Sequence, residues 1–218
     1  MNQLVFKFPF KITYLEKDFF VSNNNFEAYK LIESWPQWTE KQINIFGPSG
    51  CGKTHLINIL SKKLKLLSVD ASKFDGKINS LVENFECVVI ENYEGNIDEK
   101  LFYSFINQTL QLNKSVIINS STNIKNLKVD LIDLKSRLNS FLEIQISLPT
   151  DDLIRVIISK TFSDKQIELS NKNLEFIIKN IDRSYDKISK FTKDIDNISL
   201  STGKSININL IKKVLLNE

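Results

Sequence analysis

Apolar side chains along this chain fall into short continuous runs separated by longer stretches of helical spacing. Gln42-Ile43-Asn44-Ile45-Phe46, Phe85-Glu86-Cys87-Val88-Val89-Ile90 and Ser115-Val116-Ile117-Ile118 are short and rich in β-branched residues. Such runs predict strands buried on both faces of a parallel sheet. Leu64 to Val69, ending at Asp70, and the alternating Leu142-Glu143-Ile144-Gln145-Ile146 predict two further strands. Between them, His55 to Lys63 and residues 98–112 carry apolar positions at helical spacing, with Leu101, Phe102, Phe105, Ile106 and Leu110 on one side of the second. Strands separated by helices predict an α/β fold with a parallel sheet covered on both faces.

The pattern changes at Pro149. Thr150 followed by Asp151-Asp152 reads as a helix start with Thr150 as the N-cap. From there to Glu218 only helical spacing appears, over 151–163, 171–180, 184–199 and 208–216. The breaks fall at Ser170-Asn171, Asp182-Arg183 and Ser201-Thr202-Gly203. Residues 1–148 therefore read as an α/β domain and 149–218 as a small all-helical one.

Residues 47–54 read Gly-Pro-Ser-Gly-Cys-Gly-Lys-Thr, a complete match to the P-loop pattern G-x-x-x-x-G-K-[ST]. The match lies between a strand and a helix, the context that distinguishes a phosphate loop from a Gly-rich turn that happens to carry Lys-Thr. Gly47, Gly50 and Gly52 let the backbone of Pro48, Ser49 and Cys51 curl so that N–H groups face a phosphate chain at a helix N-terminus. In this motif Lys53 reaches the β- and γ-phosphates and the Thr54 hydroxyl ligates Mg²⁺. The α/β domain is thus expected to bind a purine nucleotide. His55, the single histidine, follows the loop in the first helical turn and cannot build a metal site alone.

Composition narrows the class further. The 218 residues are 42% hydrophobic and 25% charged, the proportions of a soluble globular protein. No apolar stretch approaches the roughly 18 residues that span a membrane, and no signal-peptide pattern opens the chain. A net charge of +3 is too slight to argue for nucleic-acid binding. The two cysteines, Cys51 and Cys87, form neither a disulfide framework nor a CxxC pair, so a reduced, cytoplasmic protein is expected.

Further residues belong to the same candidate site. A P-loop protein needs an acid at the end of a second strand to face the metal. That run ends Val88-Val89-Ile90-Glu91-Asn92, so Glu91 is the candidate metal carboxylate. Asn92 stands where a water-polarising carboxylate is common, and an amide accepts no proton at neutral pH. The alternative is that both are polar residues at a strand end. Asn119 and Ser120 follow another strand and fit either a γ-phosphate contact or ordinary strand-end capping. Arg137 and Arg183 stand out in a chain that prefers lysine, because a planar guanidinium suits phosphate. Taken alone, each reads first as a surface arginine, as does Arg155, which lies mid-helix near Asp151 and Asp152.

With these pieces in order, the chain resembles AAA+ ATPases of the DnaA lineage, and most closely their short Hda-type relatives that inactivate the replication initiator. Asp18-Phe19-Phe20-Val21-Ser22 followed by Asn25 resembles the family's leading segment beside the adenine. Leu31-Ile32-Glu33-Ser34-Trp35-Pro36-Gln37-Trp38 resembles the helix and Trp-Pro step of α-proteobacterial Hda proteins. Gly47 to Leu56 resembles the Walker A segment in full. Leu134-Lys135-Ser136-Arg137-Leu138 resembles the arginine-finger segment, and Arg183 falls where the helical lid places its sensor 2 arginine. The resemblance implies bound ADP or ATP with Mg²⁺, held by residues 47–55, Asn25, Asn119 and Arg183, with Thr54 and Glu91 on the metal. It implies a catalytic Arg137 acting in trans on nucleotide held by the initiator. Gln3-Leu4-Val5-Phe6-Lys7-Phe8 resembles the peptide with which such proteins dock on the bacterial sliding clamp, Gln3, Leu4, Phe6 and Phe8 being the contact positions. The implied organisation is a clamp-docking peptide over 1–10, an AAA+ domain over 11–148 and a helical lid over 149–218.

The chain departs from the initiator pattern at Glu91-Asn92, at Asp133 and at Ser121, and the resemblance to the short regulators implies a protein without the DNA-binding helix-turn-helix of full-length initiators. The leading expectation is a regulatory adaptor that binds nucleotide, docks on the DNA-loaded clamp and stimulates ATP hydrolysis by the initiator DnaA. It would touch DNA only through the clamp, with self-association left open and no membrane partner. An autonomous DNA-dependent ATPase, such as a helicase loader, would instead show turnover alone. A truncated initiator would shift origin DNA in a mobility assay.

Overall fold

In the computed structural model, which describes residues 19–165, 167, 169–202 and 206–216, five strands build one sheet. They are β1 (Gln42–Phe46), β2 (Leu66–Asp70), β3 (Cys87–Glu91), β4 (Ser115–Ser120) and β5 (Leu142–Gln145), in the order β2-β3-β4-β1-β5. Every pairing is parallel. The helices of this unit are α1 (Phe26–Glu33), α2 (Lys53–Leu60), α3 (Lys77–Leu81), α4 (Glu99–Gln111) and α5 (Ile132–Asn139). Neighbours β1 and β4 send their chains in opposite directions across the sheet, towards β2 and β5. Their carboxyl ends therefore open a crevice, the usual ligand position in such sheets.

The strand ends are level. Asp70 lies opposite Glu91, and Phe46 lies between Ser120 and Gln145. Val88, Ile90, Val116 and Ile118 pack on one face against Val82, Phe102, Phe105, Ile106, Leu134, Leu138 and Phe141. Their alternates Ile43, Ile45, Cys87, Val89 and Ile117 are fully buried as well, so both faces are covered. The continuous apolar runs in the sequence have that cause.

The second unit, within residues 148–216, is helical: α6 (Asp151–Ser163), α7 (Asn171–Asn180), α8 (Tyr185–Thr202) and α9 (Ile208–Leu216). Ile154, Ile158, Phe162, Ile177, Phe191, Ile195 and Ile211 share its core. Thr150 and Ser170 cap α6 and α7 by accepting from the backbone N–H of Leu153 and Asn173. The expected break at Ser201-Thr202 does not occur there, because α8 runs through Thr202. The Ser201 hydroxyl donates back to the Ile198 carbonyl at 3.1 Å, which satisfies it within the helix. The helix expected over 55–63 begins at Lys53 and ends at Leu60, while α3 and α5 were not foreseen.

One polar residue is built into the middle of the sheet. Asn44 is fully buried in β1. Its Nδ2 donates to the Ile118 carbonyl and to Ser120 Oγ, both at 2.9 Å, and its Oδ1 accepts from Ile124 N at 3.2 Å. Ser120 Oγ donates onward to the Thr122 carbonyl at 2.6 Å. This chain of bonds ties the loop after β4 to the central strand. Asn44→Ala leaves buried partners without a bond, and is expected to cost about 2 kcal/mol. Urea unfolding measures this; an unchanged midpoint would contradict the role assigned to Asn44.

Candidate functional site

Residues 47–52 join β1 to α2 and make the turn that the sequence pattern requires. At Gly47 a Cβ would lie 2.3 Å from the Ile146 carbonyl oxygen, so no side chain fits. Gly52 holds a left-handed φ of 100° and faces the Phe19 ring, which a Cβ would meet at 3.0 Å. Gly52 is the N-cap of α2 and supplies no capping side chain, so the first-turn N–H groups are left for a ligand. Together, Ser49 to His55 line a cavity of about 650 Å³. Asn92, Glu94, Ser120 and Ser121, from the carboxyl ends of β3 and β4 and the loops after them, complete its wall. Lys53 Nζ donates to the carbonyls of Gly47 at 2.6 Å and Pro48 at 3.1 Å, and lies 3.7 Å from Cys51 Sγ. Burial pushes the Cys51 thiol up despite the neighbouring ammonium.

Three sequence-predicted residues meet beside this loop. Asn119 Nδ2 donates to Glu91 Oε2 at 2.9 Å, and the Thr54 side chain is hydrogen-bonded to the same carboxyl group. Burial pushes the Glu91 carboxyl above the usual carboxylate range; the bonds from Asn119 and Thr54 and the Lys53 charge pull against it. Asn119 is fully buried, and its Oδ1 has no partner among the described residues. The donor set of Thr54 hydroxyl, Glu91 carboxylate and a nearby amide oxygen is all oxygen, which fits a hard divalent cation such as Mg²⁺. No group of three or more His, Cys, Asp or Glu that could hold a metal occurs among the described residues, so a cation here needs oxygens from a bound ligand too.

Other candidates are employed differently. The Ser120 hydroxyl is engaged by Asn44 and Thr122, which leaves Asn119 as the residue joined to Glu91. Asn92 adopts a left-handed φ of 57° and donates from Nδ2 to Asp70 Oδ2 at 2.7 Å. The hydroxyl of Ser72 and the amide of Asn92 lower the Asp70 carboxyl to about 2. Asn25 is buried, its Oδ1 accepting from Ser22 N and its Nδ2 donating to the Phe20 carbonyl, both at 2.9 Å. Its side chain thus closes the turn before α1. His55 meets Phe19 edge-on at 5.3 Å, and Phe19 stacks on Tyr29 at 5.9 Å. Arg137 is exposed on α5, and its guanidinium makes no ion pair among the described residues. Arg183, before α8, pairs with Asp151 at 2.9 Å within the helical unit. Gln3, Leu4, Phe6 and Phe8 lie outside the described residues.

Asp70 and Glu94 were missed. Asp70 was legible as the polar end of a strand run, whereas no spacing rule points to Glu94, which only the loop geometry brings to the cavity.

No protein-family model matches the chain. It is similar to the chromosomal replication initiator protein DnaA of Borrelia garinii subsp. bavariensis, 25% identical over 272 aligned positions that cover 98% of this chain and 55% of the initiator. The chain thus spans about half the length of the curated relatives it matches. Domain III of Thermotoga maritima DnaA has the same fold, with a TM-score of 0.77 at 19% identity, covering 96% of this chain and 98% of that one. AMPPCP-bound DnaA from Aquifex aeolicus aligns with a TM-score of 0.70 at 17% identity, over 86% of this chain and 66% of that one. No helix among the described residues is long and apolar enough to cross a membrane. With its five-stranded parallel sheet and the phosphate-loop motif between β1 and α2, the chain has the fold of DnaA domain III.

Proposed function

We propose that this chain is an Hda-type regulator of replication initiation: it binds an adenine nucleotide, docks on the DNA-loaded sliding clamp and stimulates ATP hydrolysis by the initiator DnaA. The observation that carries the reading is the contrast between Arg137 and the chain's own cavity. Arg137 is an exposed guanidinium without an ion pair among the described residues, while position 92 in the cavity wall is an amide instead of a carboxylate. A chain so equipped is better suited to complete another protein's site than to turn over quickly by itself.

At its own site, Lys53 exchanges the carbonyls of Gly47 and Pro48 for phosphate oxygens, and the N–H groups of the loop and first helical turn take the remaining phosphate charge. Thr54 and Glu91 would hold Mg²⁺, with Asn119 orienting Glu91. The cation, when bound, neutralises charge between the β- and γ-phosphates. AMPPCP in the Aquifex DnaA structure supports an adenine nucleotide as the ligand. The N-terminal Gln3-Leu4-Val5-Phe6-Lys7-Phe8 segment docks on the clamp as an extended peptide with alternate apolar side chains in pockets.

The decisive experiment follows hydrolysis of initiator-bound ATP with and without this protein and clamp-loaded DNA; absence of stimulation overturns the regulatory reading. Lys53→Ala is expected to weaken ADP and ATP binding at least about tenfold, the loss of one charge-assisted contact. Calorimetry showing unchanged affinity would remove the P-loop assignment. Replacing Gln3 and Leu4 by Ala should abolish retention on a clamp-coated sensor surface and leave nucleotide affinity intact; equal retention refutes clamp docking. Arg137→Ala should keep nucleotide and clamp binding yet lose stimulation by about 10³-fold, the lower end for a trans arginine. Arg137→Lys should restore little, because an ammonium lacks the planar fork. Full stimulation by the alanine variant would make Arg137 a structural residue.

A further inference from the structure

Although position 92 carries an amide, the cavity wall does contain a carboxylate. Beyond Glu91 the chain turns through the left-handed Asn92, a conformation that Asn tolerates better than most residues. Tyr93 then locks the turn: its N–H donates to the Asn119 carbonyl at 3.0 Å and its buried ring meets Phe102 at 4.7 Å. The chain emerges with Glu94 bordering the same cavity as Lys53 and Thr54. Ser121 Oγ, from the loop after β4, donates to Glu94 Oε1 at 2.9 Å and fixes the carboxylate in place. Glu91 is occupied by Asn119 and Thr54, and Asp70 by Ser72 and Asn92. Glu94 Oε2 accepts no hydrogen bond from a protein group among the described residues.

We propose that Glu94 is the catalytic base of a slow ATP hydrolysis in this chain's own site, and that Ser121 positions it. The inference rests on the reading that the cavity holds ATP. A water oxygen bonds to the γ-phosphorus while the bond from that phosphorus to the β–γ bridging oxygen breaks. Glu94 accepts the proton that the water gives up and later releases it to solvent. The products are ADP, inorganic phosphate and one proton. Asn92 is then the residue that shapes the turn, and Glu94 supplies the chemistry usually sought at position 92. The chain becomes a timer: its ATP-bound state expires at a rate set by its own residues.

The test uses the full chain with pre-bound radiolabelled ATP in single-turnover assays. Glu94→Gln should slow hydrolysis by about 100-fold or more, the typical contribution of a positioned base. Its affinity for ATP by calorimetry should stay within about twofold of the parent. Glu94→Asp should recover part of the rate. A second readout does not depend on turnover: ADP with aluminium fluoride, which mimics the transition state, should bind the Gln variant at least about tenfold more weakly, with ADP alone unchanged. Hydrolysis by the Gln variant at the parental rate overturns the proposal, as does a parent that binds ATP and never hydrolyses it. A parent that fails to bind ATP overturns the nucleotide reading itself, which the calorimetry reports separately.

Discussion

The register between β1 and β4 is the constraint on which the rest of the site depends. Ile45 faces Asn119 and Phe46 faces Ser120 across the pair. A slip of one residue would turn each side chain of β4 to the opposite face of the sheet. Asn119 would then leave Glu91, and Ser120 would leave Asn44. The buried Asn44 opposes such a slip, since its amide finds both a carbonyl of β4 and the hydroxyl of Ser120 only in this register. A wholly apolar β1 would bury as much surface but would specify the pairing less sharply. A buried polar network whose members are all hydrogen-bonded rigidifies the core and specifies one arrangement of it.

Around that frame, neighbouring residues use charge in opposite ways. Glu91 sits in partial burial, where desolvation resists its ionisation while Lys53, Thr54 and Asn119 favour it. A group balanced in this way responds strongly to a cation placed beside it. Asp70, half-buried, is held well below the usual carboxylate range by hydroxyl and amide donors and anchors Asn92. The paired ends of β2 and β3 thus hold one carboxylate that is sensitive to its surroundings and one that is fixed.

Legibility in the sequence followed the physics of each element. β1, α6, α7 and α9 have the bounds that periodicity and caps predict, because burial on a regular face leaves a regular pattern. α5 escaped notice since only Leu134 and Leu138 are buried along it, too few positions to show a period. β3 begins at Cys87, not Phe85; the Glu86 carboxylate instead accepts from the Lys65 N–H. In the site, Lys53, Thr54, Glu91 and Asn119 were recoverable because a motif and two strand ends specify them. Asn25 carried a family resemblance, yet its amide is spent on a local turn, which no spacing distinguishes from a ligand contact. Glu94 was invisible because its placement depends on one left-handed residue, a property of the backbone that composition does not record.

The close approach at Gly47 has a mechanical meaning. Its N–H bonds to the Ser120 carbonyl at 3.2 Å, and its Cα lies against the Ile146 carbonyl with no room for even a methyl group. Ile146 is itself bonded to Phe46 at 2.8 Å, just past β5. The start of the phosphate loop and the end of the edge strand therefore share one wall of zero thickness. Displacement of the loop cannot be absorbed by side-chain rearrangement, since no side chain intervenes; it must be passed on as movement of β5. The helix carrying Arg137 leads directly into that strand. A backbone contact with no side chain between thus links the start of the 47–52 loop directly to the end of β5, the strand that follows α5.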